Sequence, residues 1–324
     1  MQFILITYNV KHNRSKKSEP QKLIFRTMFI SLFYCRFMQC YVHFFNYHLI
    51  KTMLRRIGNK KKIASEIIKY FPKDITVFID LFFGTGAMTW EMLNKYPKLY
   101  CFANDLDNDI SNLWYIMQNE RDFNQLYEAI ELCPYHADIY KYFKNDYLPK
   151  NNIEQALQFL YLSNYSLFGF KSELRQVAYN NSKEILINEM KNILKYLSNV
   201  KFENKDVFKI QIPLSFPENR PLQKYGQFVY CDPPYIATAD NYQNSFTEEQ
   251  NRKLIEKLIA SELRFAISEF KSEITEQIAK DYNLYYTEIK ERRNHKKRST
   301  EILMTNYKPD YQKQIKRTLW DGFN

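Results

Sequence analysis

A chain of 324 residues with 47 Lys and Arg against 36 Asp and Glu has room for one large domain or two modest ones, and its 45% hydrophobic content can bury a real core. The net charge of +11 favours a polyanionic partner, either nucleic acid or an anionic membrane. The five cysteines (Cys35, Cys40, Cys101, Cys133 and Cys231) are odd in number and form no CxxC pair, which argues against a disulfide framework or a zinc site and for a reducing cytoplasm.

Residues 1–52 differ from the rest: a basic stretch, KHNRSKKSEPQK, precedes the apolar run LIFRTMFISLFYCRFMQCYVHFFNYHLI. A membrane-spanning helix takes about 20 mostly apolar residues, and arginine at its centre is costly. Arg26, Arg36, His43 and His48 interrupt the run, so no stable membrane association is expected. A signal peptide fits worse, because no small-residue cleavage site follows. Residues 1–52 are therefore expected to be a disordered or dispensable extension, with the folded domain starting at Met53.

From there the pattern alternates. IASEIIKYF has helical spacing and stops at Pro72; VFIDLFF (77–83) reads as a strand, and AMTWEMLNKY after Gly84 and Gly86 as a helix. LYCFAND (99–105) is a second strand, and LDNDISNLWYIMQNERDFNQLYEAI one long amphipathic helix. Residues 111–199 read as mostly helical. Alternation resumes with QFVYC (227–231), TEEQNRKLIEKLIAS, LRFAIS, SEITEQIAKDYN, LYYTEIK and EILMTNY. Strand, helix, strand, helix predicts an α/β fold around a parallel sheet, interrupted by a helical insertion. The expected domains are 53–110 with 200–324, and the insertion 111–199.

Two features of this pattern carry chemistry. In DLFFGTGA, Gly84 and Gly86 follow a strand, where the backbone must turn tightly and let a ligand approach without a Cβ in the way. Asp105, at the end of the next strand, is placed to accept hydrogen bonds from ribose hydroxyls. The third glycine of a dinucleotide fingerprint is missing, which points away from NAD and towards another nucleoside ligand. The second feature is FVYCDPPY (228–235). Its two prolines fix φ and carry no N–H, so the carbonyls of Asp232 and Pro233 are held outside any ladder. A carboxylate beside a rigid carbonyl offers two acceptors, which match the two donors of an exocyclic amine. Tyr235 can supply a stacking face, so the corner suits a flipped nucleobase.

DLFFGTGA followed by CDPPY resembles the S-adenosylmethionine-dependent DNA adenine-N6 methyltransferases of the Dam-like, D12 class, in the order cofactor turn, helical insertion, DPPY. The weaker segments IGNK, LSNYSLFGF, KDVF and EILMTNY extend the resemblance over about Met53–Tyr307. It implies a Rossmann-like S-adenosylmethionine-dependent methyltransferase sheet with a mostly helical target-recognition insertion. It also implies that Asp80, Gly84 and Gly86 line the methionine end of S-adenosylmethionine, Asp105 binds its ribose and Asp206 lies near its adenine. Gly58 and Lys60 would close the site, and Asp232, Pro233, Pro234 and Tyr235 would hold the target base. This sequence departs from the family at Arg56, at Asn59 and at Ser268-Glu269, where an aromatic residue, a second glycine and a serine-asparagine pair are usual.

The implied reaction is direct in-line transfer to adenine N6 in double-stranded DNA, with no covalent intermediate and no metal. Cys231 precedes the acid on the strand and reads as core. For phosphate contact the stretch KERRNHKKRSTE (290–301) is expected to be a loop near the active face, with Arg292, Arg293, Lys296, Lys297 and Arg298 as contacts. Tyr165, Lys171 and Arg175 of the insertion are further candidates. The implied setting is the cytoplasm, at the nucleoid, with a cognate restriction endonuclease as a further partner. Two alternatives stand beside this reading: an RNA methyltransferase acting on guanine N2 or adenine, and a catalytically silent DNA-binding module.

Overall fold

The computed structural model describes residues 54, 59–166, 174, 182–216, 226–236, 246–293 and 298–311. They fall within one compact unit, Leu49–Asn324. Expectations resting on residues 1–52, Arg56, Gly58, Lys171, Arg175, Lys296 and Lys297 lie outside the described residues.

Seven strands form one sheet: β1 (Val77–Asp80), β2 (Tyr100–Asn104), β3 (Val200–Glu203), β4 (Gln227–Cys231), β5 (Arg264–Phe270), β6 (Tyr285–Arg293) and β7 (Arg298–Thr305). Their spatial order is β3-β2-β1-β4-β5-β7-β6. β1 to β5 pair in parallel, and β7 runs antiparallel to both of its neighbours. The helices described are α1 (Ala64–Ile67), α2 (Ala87–Lys95), α3 (Asn108–Gln118), α4 (Glu120–Leu132), α5 (Ala137–Asn145), α6 (Asn152–Tyr165), α7 (Ser182–Leu197), α8 (Glu248–Ala260) and α9 (Glu273–Asp281).

The central strands are buried on both faces, which is why β1 and β4 read as unbroken apolar runs. Alternate residues face opposite layers. Phe78, Phe228 and Tyr230 point to one core with Trp90 of α2, Trp114 of α3, Leu160 of α6 and Met190 of α7. Val77, Ile79, Val229 and Cys231 point to the other, against Leu254 of α8 and Ile278 of α9. The helices of 111–199 thus share a core with the sheet, apart from a separate, mostly aromatic cluster of Tyr140, Phe143, Tyr161, Leu162 and Tyr165 around α5 and α6.

Four local expectations need correction. The helix expected through 106–130 breaks at Asn119, whose extended backbone (φ −94°, ψ 116°) ends α3 while its side chain accepts from the Asp122 N–H at 3.1 Å to start α4. The first strand stops at Asp80, because Leu81–Phe83 already belong to the turn. β3 lies within a stretch that showed no strand pattern, since four residues alternating buried and exposed at a sheet edge leave little signal. The basic stretch 290–301 is for the most part strand, not loop: Lys290–Arg293 end β6 and Arg298–Glu301 begin β7.

Candidate active site

Strand order reverses between β1 and β4, where β1 leads outward to β2 and β3 and β4 leads to β5. At such a switch point the crossover connections part, and a crevice opens past the carboxyl ends of the strands. The two segments with chemistry in the sequence begin there. Asp80 ends β1, in register with Ala103 on one side and Tyr230 on the other. Asp232 follows the last residue of β4.

The β1–α2 turn is built by its glycines. Gly86 has φ +73°, and a Cβ on it would lie 2.3 Å from Trp90 Nε1 and 2.5 Å from Phe83 Cζ. Gly84 has φ +52°, yet a Cβ there would meet only the Phe82 carbonyl, at 4.0 Å. Gly86 therefore shapes the turn, and Gly84 leaves a surface open to a ligand. The Gly84 N–H donates to Asp105 Oδ2 at 2.6 Å, while Asp105 Oδ1 accepts from the Asp107 N–H at 2.9 Å. Asp105 thus fastens the glycine turn to the end of β2. The buried Asn104 braces the same edge, donating to the carbonyls of Leu81 (3.3 Å) and Lys205 (3.0 Å) and accepting from the Lys205 N–H (3.0 Å). Asp206, beyond β3, caps a short turn by accepting from the Phe208 N–H at 3.0 Å.

Asp80 is the least settled group in this turn. Its Oδ2 accepts from Thr89 Oγ1 at 2.9 Å, whereas the buried Oδ1 has no hydrogen bond of normal geometry among the described residues. Burial raises its pKa to about 7, helped by the nearby Asp232 and opposed by Thr89 and the Phe82 amide.

The corner at 232–235 is organised around a buried ammonium. Lys60, 3% exposed, reaches Asp232 Oδ1 at 2.6 Å and Glu301 Oε1 at 3.1 Å. It also bonds the Tyr235 hydroxyl and stands 4.6 Å from the centre of that ring. Tyr235 donates to Glu301 Oε1 at 2.6 Å and packs edge-on against Phe270 at 4.5 Å. Lys60 thus meets Tyr235 at its hydroxyl end. Glu301, at the Phe270 register of β7, is fully buried. Asp232 keeps 18% of its side chain exposed, and burial outweighs the Lys60 ammonium to raise its pKa. Among the described residues no backbone N–H donates to the Pro233 carbonyl. Behind the corner, Glu269 accepts from the N–H groups of Ile236 (3.4 Å) and Phe270 (3.1 Å) and from Asn251 Nδ2 (3.3 Å). Burial raises its pKa to about 8.

Residues 57–295 match the sequence profile of the D12 class N6 adenine-specific DNA methyltransferase family. The chain belongs to this family. Among its relatives, Modification methylase StsI of Streptococcus sanguinis is 28% identical over 80% of this chain and 43% of its own length. Retron Ec67 DNA adenine methylase of Escherichia coli is 29% identical over 68% of this chain and 74% of its own. Type II methyltransferase M1.LlaDCHI of Lactococcus lactis subsp. cremoris is 23% identical over 80% of this chain and 96% of its own. The chain thus matches under half the length of the first of these.

The glycine turn of this D12-class chain fits the family's methyl donor, S-adenosylmethionine. An open glycine face and an unsatisfied buried carboxylate oxygen, Asp80 Oδ1, lie together on the same turn. Asp80, Gly84, Gly86, Asp105 and Asp206 all sit along the carboxyl edge of β1 to β3, and Lys60 joins Asp232–Tyr235 at β4. The DNA-contact candidates are dispersed. Tyr165 is corrected: it is 2% exposed and wedged between Tyr161 and Tyr135, at 4.6 and 4.7 Å, so it is core. Arg292 and Arg293 are strand residues opposite Ser299 and Arg298. The Arg298 side chain is exposed, 3.7 Å from Glu291. Cys231 is core, as expected. Sequence reasoning missed Glu301, Asn104 and the anchoring role of Glu269. Glu301 was hidden as the last residue of a basic stretch, and only its position at the foot of an apolar strand marked it.

Proposed function

We propose that this chain transfers a methyl group from S-adenosylmethionine to the N6 amino nitrogen of adenine in double-stranded DNA, with the base turned out of the helix. The observation that carries this reading is the family match over 57–295, spanning both the glycine turn and the Asp232 corner. S-adenosylmethionine, when bound, supplies an electrophilic methyl on a sulfonium. The chain supplies the rest. Asp105 and Asp206 hold the donor's nucleoside, with Asp80 and the open face of Gly84 on its methionine side.

Asp232 and the Pro233 carbonyl accept the two N–H bonds of the target amine, and Tyr235, held through its hydroxyl by Lys60 and Glu301, backs the base. Acceptors aimed at an amine favour a pyramidal nitrogen, whose lone pair is freed from the ring, and they stabilise the positive charge that develops there. Holding the nitrogen in line with the methyl lowers the barrier by orientation. The methylated nitrogen then sheds one proton, and the Asp232 carboxylate is the nearest base for it. Because Asp232 must be ionised and its pKa is raised, activity should fall with acidification at a higher pH than an ordinary aspartate would give.

The helices of 111–199 would read the target sequence, and the β6–β7 hairpin would meet phosphates from the same edge of the sheet. The relatives named as a modification methylase and a type II methyltransferase support a place in a restriction–modification pair, with a cognate endonuclease as partner; a DNA substrate goes with the cytoplasm and the nucleoid. No helix among the described residues is long and apolar enough to cross a membrane. The family match favours DNA over the RNA alternative.

The test is label transfer from tritiated S-adenosylmethionine by the full chain to unmethylated duplex DNA or to ribosomal RNA, with Asp232→Ala alongside. Label in DNA from the wild type alone supports the reading; label in RNA only, or equal label with the variant, refutes it.

A further inference from the structure

The Asp232 corner holds more charge than the proposed chemistry calls for. Methyl transfer moves a positive charge onto the adenine nitrogen, so the corner is best served by a net negative charge facing that atom. Yet the structure seats a buried ammonium, Lys60, 2.6 Å from Asp232. Lys60 alone would neutralise the carboxylate, and at 3% exposure it is little screened by water. Among the described residues, the other anion in direct reach is Glu301, fully buried and 3.1 Å away. Resting on the proposed function, we infer that Glu301 is a positioning residue that shares Lys60 with Asp232 and so leaves the corner with one net negative charge.

The charge count is simple. Asp232, Glu301 and Lys60 together carry one net negative charge. Removal of Glu301's charge alone leaves none, and Lys60 then belongs wholly to Asp232. Glu301 also fixes the direction of Tyr235, because one oxygen, Oε1, meets both Lys60 Nζ and the Tyr235 hydroxyl. Among the described residues, the remaining titratable groups that face Asp232 are Asp80 on β1, Tyr230 and Cys231 on β4, Tyr235 on its own loop and Glu269 on β5. All of them are neutral when protonated, so none can take over as partner of Lys60 without first losing a proton.

Glu301→Gln isolates charge from shape, since the glutamine carbonyl still accepts from Tyr235. Steady-state methylation of unmethylated bacterial DNA by the full chain, over a range of pH, provides the readout. We expect kcat to fall on the order of 100-fold, a typical loss when one electrostatic stabiliser is removed, with KM for DNA unchanged within about twofold. The acid limb of the profile should move down by about one pH unit, because Lys60 would then hold Asp232 ionised and the repulsion from Glu301 would be gone. Glu301→Asp should recover part of the rate. The double variant Lys60→Met with Glu301→Gln restores the net negative charge and should turn over faster than Glu301→Gln alone; it decides the matter if the single variant does not fold.

A Glu301→Gln enzyme with wild-type kcat and acid limb overturns the role. So does one that loses rate with an unmoved limb and gains nothing from the second substitution, which is the behaviour of a packing residue. A wild-type chain that places no methyl on DNA adenine overturns the proposed function and this role together. A wild type that does so beside an unaffected Glu301→Gln overturns the role of Glu301 alone.

Discussion

Asp232 and the two glycines could be read from the sequence because their chemistry is local. A carboxylate before two prolines, or a glycine where φ must be positive, announces itself within a few residues. The partners of Asp232 could not, because Lys60 lies 172 positions away and only folding brings it within 2.6 Å. Asp232→Ala should reduce methyl transfer below detection while equilibrium binding of S-adenosylmethionine, followed by calorimetry, stays within a few-fold of wild type. A matching loss of donor binding would make Asp232 structural. The glycines should separate in the same manner. Gly86→Ala drives a Cβ into Trp90 and Phe83 at φ +73° and should cost roughly 2–5 kcal/mol of stability in a denaturant melt. Gly84→Ala has open space and should cost only about 1–2 kcal/mol, from its left-handed backbone, while it weakens donor binding at the face the methyl group fills.

Among elements, the long apolar ones follow directly from periodicity, and β4 falls on the residues its pattern marks. Failures came where a single polar residue or a short edge decides. Asn119 ends one helix and caps the next, so two helices looked like one. β3 has too few residues to show a period, and the buried Asn104 that ties β1, β2 and β3 at the site edge looks like any surface asparagine until its partners are known. Glu269 is the last residue but one of β5, buried inside the fold, and its consequence is a pH-dependent stability. Its carboxyl keeps its proton to about pH 8 in the folded state, whereas in the unfolded chain it ionises near 4.5. The folded state therefore binds more protons across that window, and stability should fall as pH rises from about 5 to 8, by at most roughly 1.4 kcal/mol per pH unit per group. Asp80 adds the same sign up to about pH 7. Glu269→Gln mimics the protonated acid, so its melting temperature should decline less over this range and level off above pH 7. A parallel decline would show that Glu269 is charged in the folded protein.

For the whole molecule, a net charge of +11 fits a polyanionic partner, which the proposed function sets along one edge of the sheet. The site and the β6–β7 hairpin open on the same edge of the sheet, with Arg298 exposed at the hairpin end. DNA binding should weaken steeply with salt, and Arg298→Ala should lower the slope of log affinity against log salt by about 1; a slope unchanged by the substitution would remove Arg298 from the interface. The most direct test of the account maps modified bases in the DNA of a methylation-deficient host that expresses the full chain. It predicts N6-methyladenine within one recurring sequence, absent from cells carrying Asp232→Ala. Unmodified adenine with the wild type, or methylation confined to cytosine, would contradict it.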